Sequence, residues 1–463
     1  MPLCRFLLLF YFSTKLILFS VEKPNIIYIL ADDLGYGDLG CYGQKIIKTP
    51  NLDRMASQGL VFKQHYAGST VCAPSRSSLL TGKHTGHTYI RGNGKHQLRL
   101  DPEDEIFPTA LKRAGYHIAM IGKSGLSCNS DDGGFPNRKG FDEFFGFTSH
   151  VQAHWYYPPY LWDNGEKVFY PKNTLHEGDH YSSDQVIDKT LEYIEEQKKG
   201  PFFLHLAFQI PHASLSAKEE WKQKYRPILK EKPLSPQKHG HYSFEREPKT
   251  TFAAMISYMD NNVGRILDKL EVLGIEKETL VMFASDNGAM GEGQHNVENF
   301  DSSGSLRGMK RDLYEGGIRT PCIAYWPGSI KGGRVTNHIS AFWDISPTFR
   351  EIAGAEPQQD TDGISIVPTL LLNGEQKEHK NLYWEFHGRG GKRALRQGKW
   401  KLINFNLNNG KNPRSELYDL ELDPGEKNDL ANTFPKIVFE LTQEMDRQHT
   451  TSVKKSFRFE NEK

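Results

Sequence analysis

The chain reads as an α/β protein: a large mixed, mostly parallel sheet flanked by helices, then a small C-terminal antiparallel α+β subdomain. Three observations predict this. Apolar runs at 25–30, 117–121, 201–208 and 279–285 are continuous and not alternating, as in strands covered on both faces. Helical patterns fill the intervals, at 49–59, 107–115, 183–198 and 251–273. Near residue 375 the character changes: 393–404 reads as two strands around Gln397-Gly398-Lys399, and 416–420 precedes the turn Asp423-Pro424-Gly425-Glu426. A closing helix follows from about Pro435.

Length and charge bound the function. A chain of 463 residues can bury a large core, and a net charge of +1 provides no general field for nucleic acid or an acidic polymer. No nucleic-acid partner is expected, and an anionic substrate must be gripped locally. Arg5 followed by apolar 6–12 and 16–19 reads as a secretory signal peptide, too short to span a bilayer comfortably. Lys15 interrupts it and Leu18-Phe19-Ser20 is a poor cleavage site, so an uncleaved anchor stays open. The expected protein is exported, periplasmic or extracellular, with segments 1–20, 21–375 and 376–463 as signal, main domain and C-terminal subdomain. Cys4 leaves with the signal; Cys41, Cys72, Cys128 and Cys322 suggest no disulfide framework. Oligomeric state is open.

In chain order, the first strand ends in Asp32-Asp33, two adjacent acids whose repulsion needs a cation. The helix at 49–59 has Pro50 at its first position and Gly59 at its end. Val71-Cys72-Ala73-Pro74-Ser75-Arg76-Ser77-Ser78-Leu79-Leu80-Thr81-Gly82 places a thiol just ahead of a helix N-terminus, where free N–H groups favour anions. Ser75 is the expected cap, Leu79 and Leu80 the buried side, Gly82 the stop, and Arg76 adds forked donors one turn in. His84 and His87 are read as loop residues near the site and not as a metal pair, because Gly86 disfavours a regular helix. The strand at 117–121 empties into Gly122-Lys123-Ser124-Gly125-Leu126. The aromatic stretch 139–165 contains Pro158-Pro159 and is expected to be a loop forming a substrate wall, since flat rings pack on sugars. His154 and Trp155 from it, with Arg91, are the candidate substrate contacts. Segment 214–249 reads as a mobile excursion over the site, and Met255 and Met259 in the next helix as core.

Cys72-Ala73-Pro74-Ser75-Arg76 with Leu79-Leu80-Thr81-Gly82 resembles the signature of the type I sulfatases of the alkaline phosphatase superfamily. Gly122-Lys123 is similar to that family's Gly-Lys-Trp-His-Leu-Gly, Asp286-Asn287-Gly288 to its Asp-Asn-Gly, and Lys310 ahead of Tyr314-Glu315-Gly316-Gly317 to its sulfate lysine. The resemblance covers nearly the whole chain after the leader and extends to bacterial polysaccharide sulfatases. It implies an alkaline phosphatase-like fold and sulfate-ester hydrolysis on a carbohydrate. It implies that a formylglycine-generating or sulfatase-maturing enzyme converts Cys72 to Cα-formylglycine, whose hydrate attacks sulfur to give a covalent sulfo-enzyme. It also implies Ca²⁺, with Mg²⁺ as the second choice, on Asp32, Asp33, Cys72, Asp286 and Asn287, an oxygen-rich set unsuited to zinc. Arg76, Lys123 and Lys310 would hold the sulfate, and His212, after Pro211, would protonate the leaving alcohol with Lys310. The family's histidine beside that lysine is Gly125 here, so its proton-accepting role has no matched owner; His154 is one candidate. Two other readings stay open: a phosphomonoester or phosphonate hydrolase on the same scaffold, and a non-catalytic carbohydrate-binding pseudo-sulfatase.

Overall fold

Burial along the first strand sets the architecture. In the computed structural model, which describes residues 23–101, 103–236, 241–408 and 412–462, every residue of Asn25–Asp32 is buried. Ile27, Ile29 and Ala31 pack on one side with Met255, Met259, Val263, Ile266 and Leu270 of the helix Pro248–Val272. Ile26, Tyr28 and Leu30 pack on the other with Leu79 and Leu80 of the helix Cys72–Thr81 and Phe349 of Ile345–Ala353. A strand with two apolar faces cannot alternate, which is why this one reads as an unbroken apolar run. The segment read as an export signal, with Cys4, lies outside the described residues; the four described cysteines are all unpaired. No helix among the described residues is long and apolar enough to cross a membrane.

The strands are β1 Asn25–Asp32, β2 Leu60–Tyr66, β3 His117–Lys123, β4 Glu143–Phe147, β5 Tyr160–Asp163, β6 Glu166–Phe169, β7 Phe202–Pro211, β8 Thr279–Ser285, β9 Arg319–Tyr325 and β10 Arg334–Ala341. They form one sheet in the order β10-β2-β9-β8-β1-β7-β3-β4-β5-β6. The five central strands β8-β1-β7-β3-β4 run parallel, whereas β9 is antiparallel to both its neighbours and β5 and β6 continue antiparallel at the far edge. The register Asp32↔Pro211 and Ala31↔Ser285 brings three strand ends level. Gly122 allows β3 to lie close to β7: a Cβ there would sit 2.0 Å from the Ala207 carbonyl oxygen, and its φ is +108°.

The aromatic stretch differs from its expected loop. Its two ends form β4 and β5 while the middle stays irregular, and Phe144, Phe147, Tyr156 and Trp162 are buried, because a sheet edge offers these rings more apolar area than solvent does. The 214–249 excursion contains the helix Glu219–Leu229.

The C-terminal strands β11 Leu382–Phe386, β12 Lys392–Gln397, β13 Trp400–Phe405 and β14 Arg414–Asp419 make a sequential antiparallel sheet. One face packs Tyr383, Leu395, Leu402 and Leu417 on Leu441 and Met445 of the helix Pro435–Arg447. The other packs Trp384, Ile403 and Tyr418 on Tyr66, Val71 and Trp343 of the main body. Val71 immediately precedes Cys72, so the small sheet buttresses the start of that helix.

Candidate active site

Parallel strands deliver their carboxyl ends to one edge, and four of them carry the polar groups singled out in the sequence. β1 ends in Asp32-Asp33, β3 in Lys123, β8 leads into Asp286-Asn287, and β7 into His212. The helix Cys72–Thr81 points its first turn at the same place. Cys72 is its first residue, one position further in than expected, after Val71 in extended conformation. Gly82 ends it at φ +68°, as the glycine signal predicts. Ser75 does not cap: its hydroxyl accepts the Gly68 N–H at 3.1 Å, tying the preceding loop onto the helix.

Around Cys72, carboxylates and cations alternate. Its Sγ donates to Asp32 Oδ1 at 3.4 Å and Asp33 Oδ1 at 3.9 Å. Burial raises the thiol pKa well above normal; Lys123 opposes this, and Asp286 and Asp32 reinforce it. The helix N-terminus, which alone would favour a thiolate, is outweighed, and the group is a neutral thiol of low nucleophilicity. Arg76 donates to Asp286 from Nε at 2.9 Å and to the Lys123 carbonyl at 2.6 Å. Lys123 Nζ meets Asp32 Oδ2 at 2.5 Å, and Lys310 Nζ meets Asp33 Oδ2 at 2.7 Å. Despite burial, which opposes ionisation, Lys123, His212 and Arg76 hold Asp32 well below the carboxylate range. Asp286 goes the other way, up to about 7, because burial and the neighbouring Asp32 charge outweigh Arg76.

Ligand atoms of Asp32, Asp33, Cys72 and Asp286 lie within 4.8 Å of one another. Asn287 donates through Nδ2 to Asp33 Oδ1 at 2.8 Å, while its buried Oδ1 has no hydrogen-bond partner. Crowded carboxylates plus an orphaned amide oxygen are a donor set for a hard divalent cation, so these residues fit the Ca²⁺ that the sequence implied.

His212 has its Nδ1 against the Ala213 carbonyl and its Nε2 3.2 Å from Lys310 Nζ. Nδ1 is therefore the protonated nitrogen, and Nε2 accepts from the lysine. Burial, then Lys310, lowers the ring's pKa to about 4. His154 stacks on His212 at 4.6 Å with an 11° tilt, and Tyr242 and His241 close around His154 at 5.4 and 5.5 Å. Half-buried Trp155 meets the exposed His176 edge-on at 5.4 Å.

Two expectations fail on geometry. Arg91 does not join the cluster: it is 3% exposed and donates to Glu385 Oε1 at 2.9 Å and Thr450 O at 2.7 Å, anchoring the C-terminal subdomain. His84 and His87 have other partners: His87 pairs with Asp362 of the main body at 2.9 Å, and His84 Nε2 meets Gln448 of the C-terminal subdomain at 3.3 Å. His84 Nδ1 accepts the Gly86 N–H at 3.1 Å, which makes Nε2 the protonated nitrogen with no lone pair for a metal. Sequence reading missed Glu292 and Tyr242. Glu292 reaches Lys310 at 3.3 Å and takes the Tyr242 hydroxyl at 3.0 Å; both residues stand in loops without any local pattern.

Comparison with known proteins agrees with this geometry. Residues 24–355 match the family described as Sulfatase, and residues 308–451 match N-sulphoglucosamine sulphohydrolase, C-terminal. The chain is 32% identical to N-acetylgalactosamine-6-sulfatase of Rattus norvegicus over 76% of its own length and 66% of that protein's. It is 30% identical to human arylsulfatase A, covering 91% of this chain and 87% of that one. Among solved structures, Ps i-CgsB in complex with k-i-k-neocarrahexaose superposes with a TM-score of 0.77 at 26% identity, covering 92% of each chain. With a buried cysteine at a helix start, three carboxylates and three cations at one sheet edge, and a family match running through all of them, this chain belongs to the sulfatase family.

Proposed function

We propose that the protein is a sulfuric ester hydrolase that removes sulfate from a carbohydrate. The observation that carries this is the pairing of Arg76, Lys123 and Lys310 with Asp286, Asp32 and Asp33 around Cys72. Three fixed cations at one point suit a tetrahedral sulfate, and three carboxylates keep those cations from repelling one another before it binds.

Burial keeps Cys72 a thiol, so a maturing enzyme that converts it to Cα-formylglycine would supply the missing nucleophile, the hydroxyl of an aldehyde hydrate. Asp32, Asp33, Asp286 and Asn287, with residue 72, would hold Ca²⁺, which would add positive charge beside the sulfate oxygens. An ion held by those carboxylates would free N–H groups of Arg76, Lys123 and Lys310 for the sulfate. Lys310 and His212 share a proton across 3.2 Å, and this pair delivers it to the departing alcohol. His154, stacked on His212, with the half-buried rings of Trp155 and Tyr242 and the exposed His176, would offer flat faces to a sugar. The bound oligosaccharide in the Ps i-CgsB structure supports a carbohydrate substrate. Residues 1–20 would direct export.

The test is sulfate release by the matured protein from sulfated oligosaccharides and an aryl sulfate, beside the matching aryl phosphate and phosphonate ester. Sulfate release exceeding phosphate release by orders of magnitude is expected. Preference for the phosphate or phosphonate ester, or sugar binding without turnover, would overturn the proposal.

A further inference from the structure

Position 125, two residues beyond Lys123 at that strand end, is glycine and carries no side chain. The space is nevertheless filled. A Cβ built on Gly125 would lie 2.9 Å from His150 Cε1 and 3.3 Å from its Nδ1, with Arg76 Cδ at 3.5 Å. The ring of His150 thus occupies the volume that a residue 125 side chain would enter, against the guanidinium-bearing stem. The backbone fixes that placement. Ser124 N–H donates to Phe147 O at 2.9 Å and Gly125 N–H to Thr148 O at 3.1 Å, which clamps the turn leading to His150 onto the end of β3.

Both ring nitrogens of His150 are shielded from solvent and have no hydrogen-bond partner. An imidazole buried with two unmet polar atoms costs stability unless something else meets them. Burial, then the charges of Lys123 and Arg76, keeps the ring neutral; Asp32 and His212 also act on it electrostatically. Lys123, Asp32 and Arg76 are the groups that surround Cys72, so His150 lies beside the same buried cluster, on the connection after the neighbouring strand β4.

Building on the sulfatase reading above, we infer that His150 takes the proton whose removal releases sulfate from residue 72. Transfer of the sulfuryl group to one hydroxyl of the aldehyde hydrate leaves a second hydroxyl on the same carbon. His150 accepts that hydroxyl's proton, the O–H electron pair becomes the second bond of a C=O group, and the carbon–oxygen bond to sulfate breaks. Sulfate leaves as the dianion, taking the electron pair of the broken carbon–oxygen bond. Water then adds back to the aldehyde, and the imidazolium returns its proton to solvent. No oxidant or reductant is needed. The negative charge of the bound sulfate favours protonation of the ring at the moment it is required.

The experiment compares matured wild type with His150→Ala and His150→Gln, the latter keeping most of the volume without the base. Aldehyde at position 72 is measured by peptide mass spectrometry, and the fold by thermal melting. Each variant is then mixed with an aryl sulfate, acid-quenched and digested. The expected result is a fall in kcat of about 10²-fold or more in both variants, with peptide 72 accumulating as its sulfate adduct. Unchanged kcat would overturn the inference. So would a slowed variant with a raised KM and no adduct, which would make His150 a sulfate-binding residue. Wild type lacking both aldehyde and turnover would fail the sulfatase reading itself, a result distinct from either of these.

Discussion

This chain buries charge in two places, and it does so differently. At the C-terminal subdomain, Glu385 receives Arg91 and His387 at 2.9 Å, His449 at 2.7 Å and the Tyr383 hydroxyl at 2.9 Å. Lys401 sits between Glu315 at 2.8 Å and Glu426 at 2.9 Å. Against burial, Lys401 and Arg319 pull Glu315 down to about 2, while burial and the Glu315 charge push its neighbour Glu426 up to about 7. At the carboxyl edge of the large sheet Asp286 is likewise pushed up to about 7, and there Asn287 Oδ1 and both His150 nitrogens have no hydrogen-bond partner. Burial alone does not separate the two regions. What does is the crowding at the sheet edge, where Asp32, Asp33, Asp286 and the Cys72 thiol bring ligand atoms within 4.8 Å of one another beside an unmet amide oxygen. In the other network, Lys401 stands between the carboxylates.

Four perturbations separate the regions. Replacing Cys72 by Ala should cut turnover of an aryl sulfate by about 10⁴-fold or more, while urea unfolding stays near wild type. Lys401→Met should do the reverse: two buried carboxylates lose their cation, and unfolding free energy should fall by about 3–5 kcal/mol in urea melts. Third, Ca²⁺ should stabilise the sheet-edge site by about 2.7 kcal/mol at a hundredfold excess over its Kd, a chelator should reverse this, and Asp286→Ala should abolish it in thermal melts.

The smallest effect is a pH dependence from the C-terminal network. Burial opposes it, but Glu385 and Glu462 raise the His449 pKa above its ordinary value. Its folded pKa therefore exceeds the unfolded value of about 6.5, and protonated His449 stabilises the fold in full below that pH. The contribution fades as pH rises through the folded pKa. The gap in melting temperature between wild type and His449→Gln should accordingly shrink as pH is raised from about 6 to about 9. A constant gap would remove His449 from the lock.

How much of this was legible in the sequence follows from how local each signal is. Asp32-Asp33 and Asp286-Asn287 end unbroken apolar runs, so strand, strand end and carboxylates are read within ten residues. The Cys72 helix was legible for the same reason. Strands β2 and β10 escaped because their polar residues, such as Lys63, Gln64 and Arg334, obscure the pattern at the sheet's far side. Arg91 was misassigned because its partner Glu385 is 294 residues away, and an arginine near a signature has no local mark of being already paired. His150 was invisible for the converse reason. Its relation to Gly125 exists only in space, through the pairing of the segment after β4 with the end of β3.

The most direct test of the account is peptide mass spectrometry across Cys72 in protein made with a formylglycine-generating enzyme, read beside aryl sulfate turnover of the same sample. The account predicts that the thiol mass is replaced by that of the aldehyde or its hydrate, and that turnover scales with the aldehyde fraction. An unmodified thiol in fully active protein would contradict it.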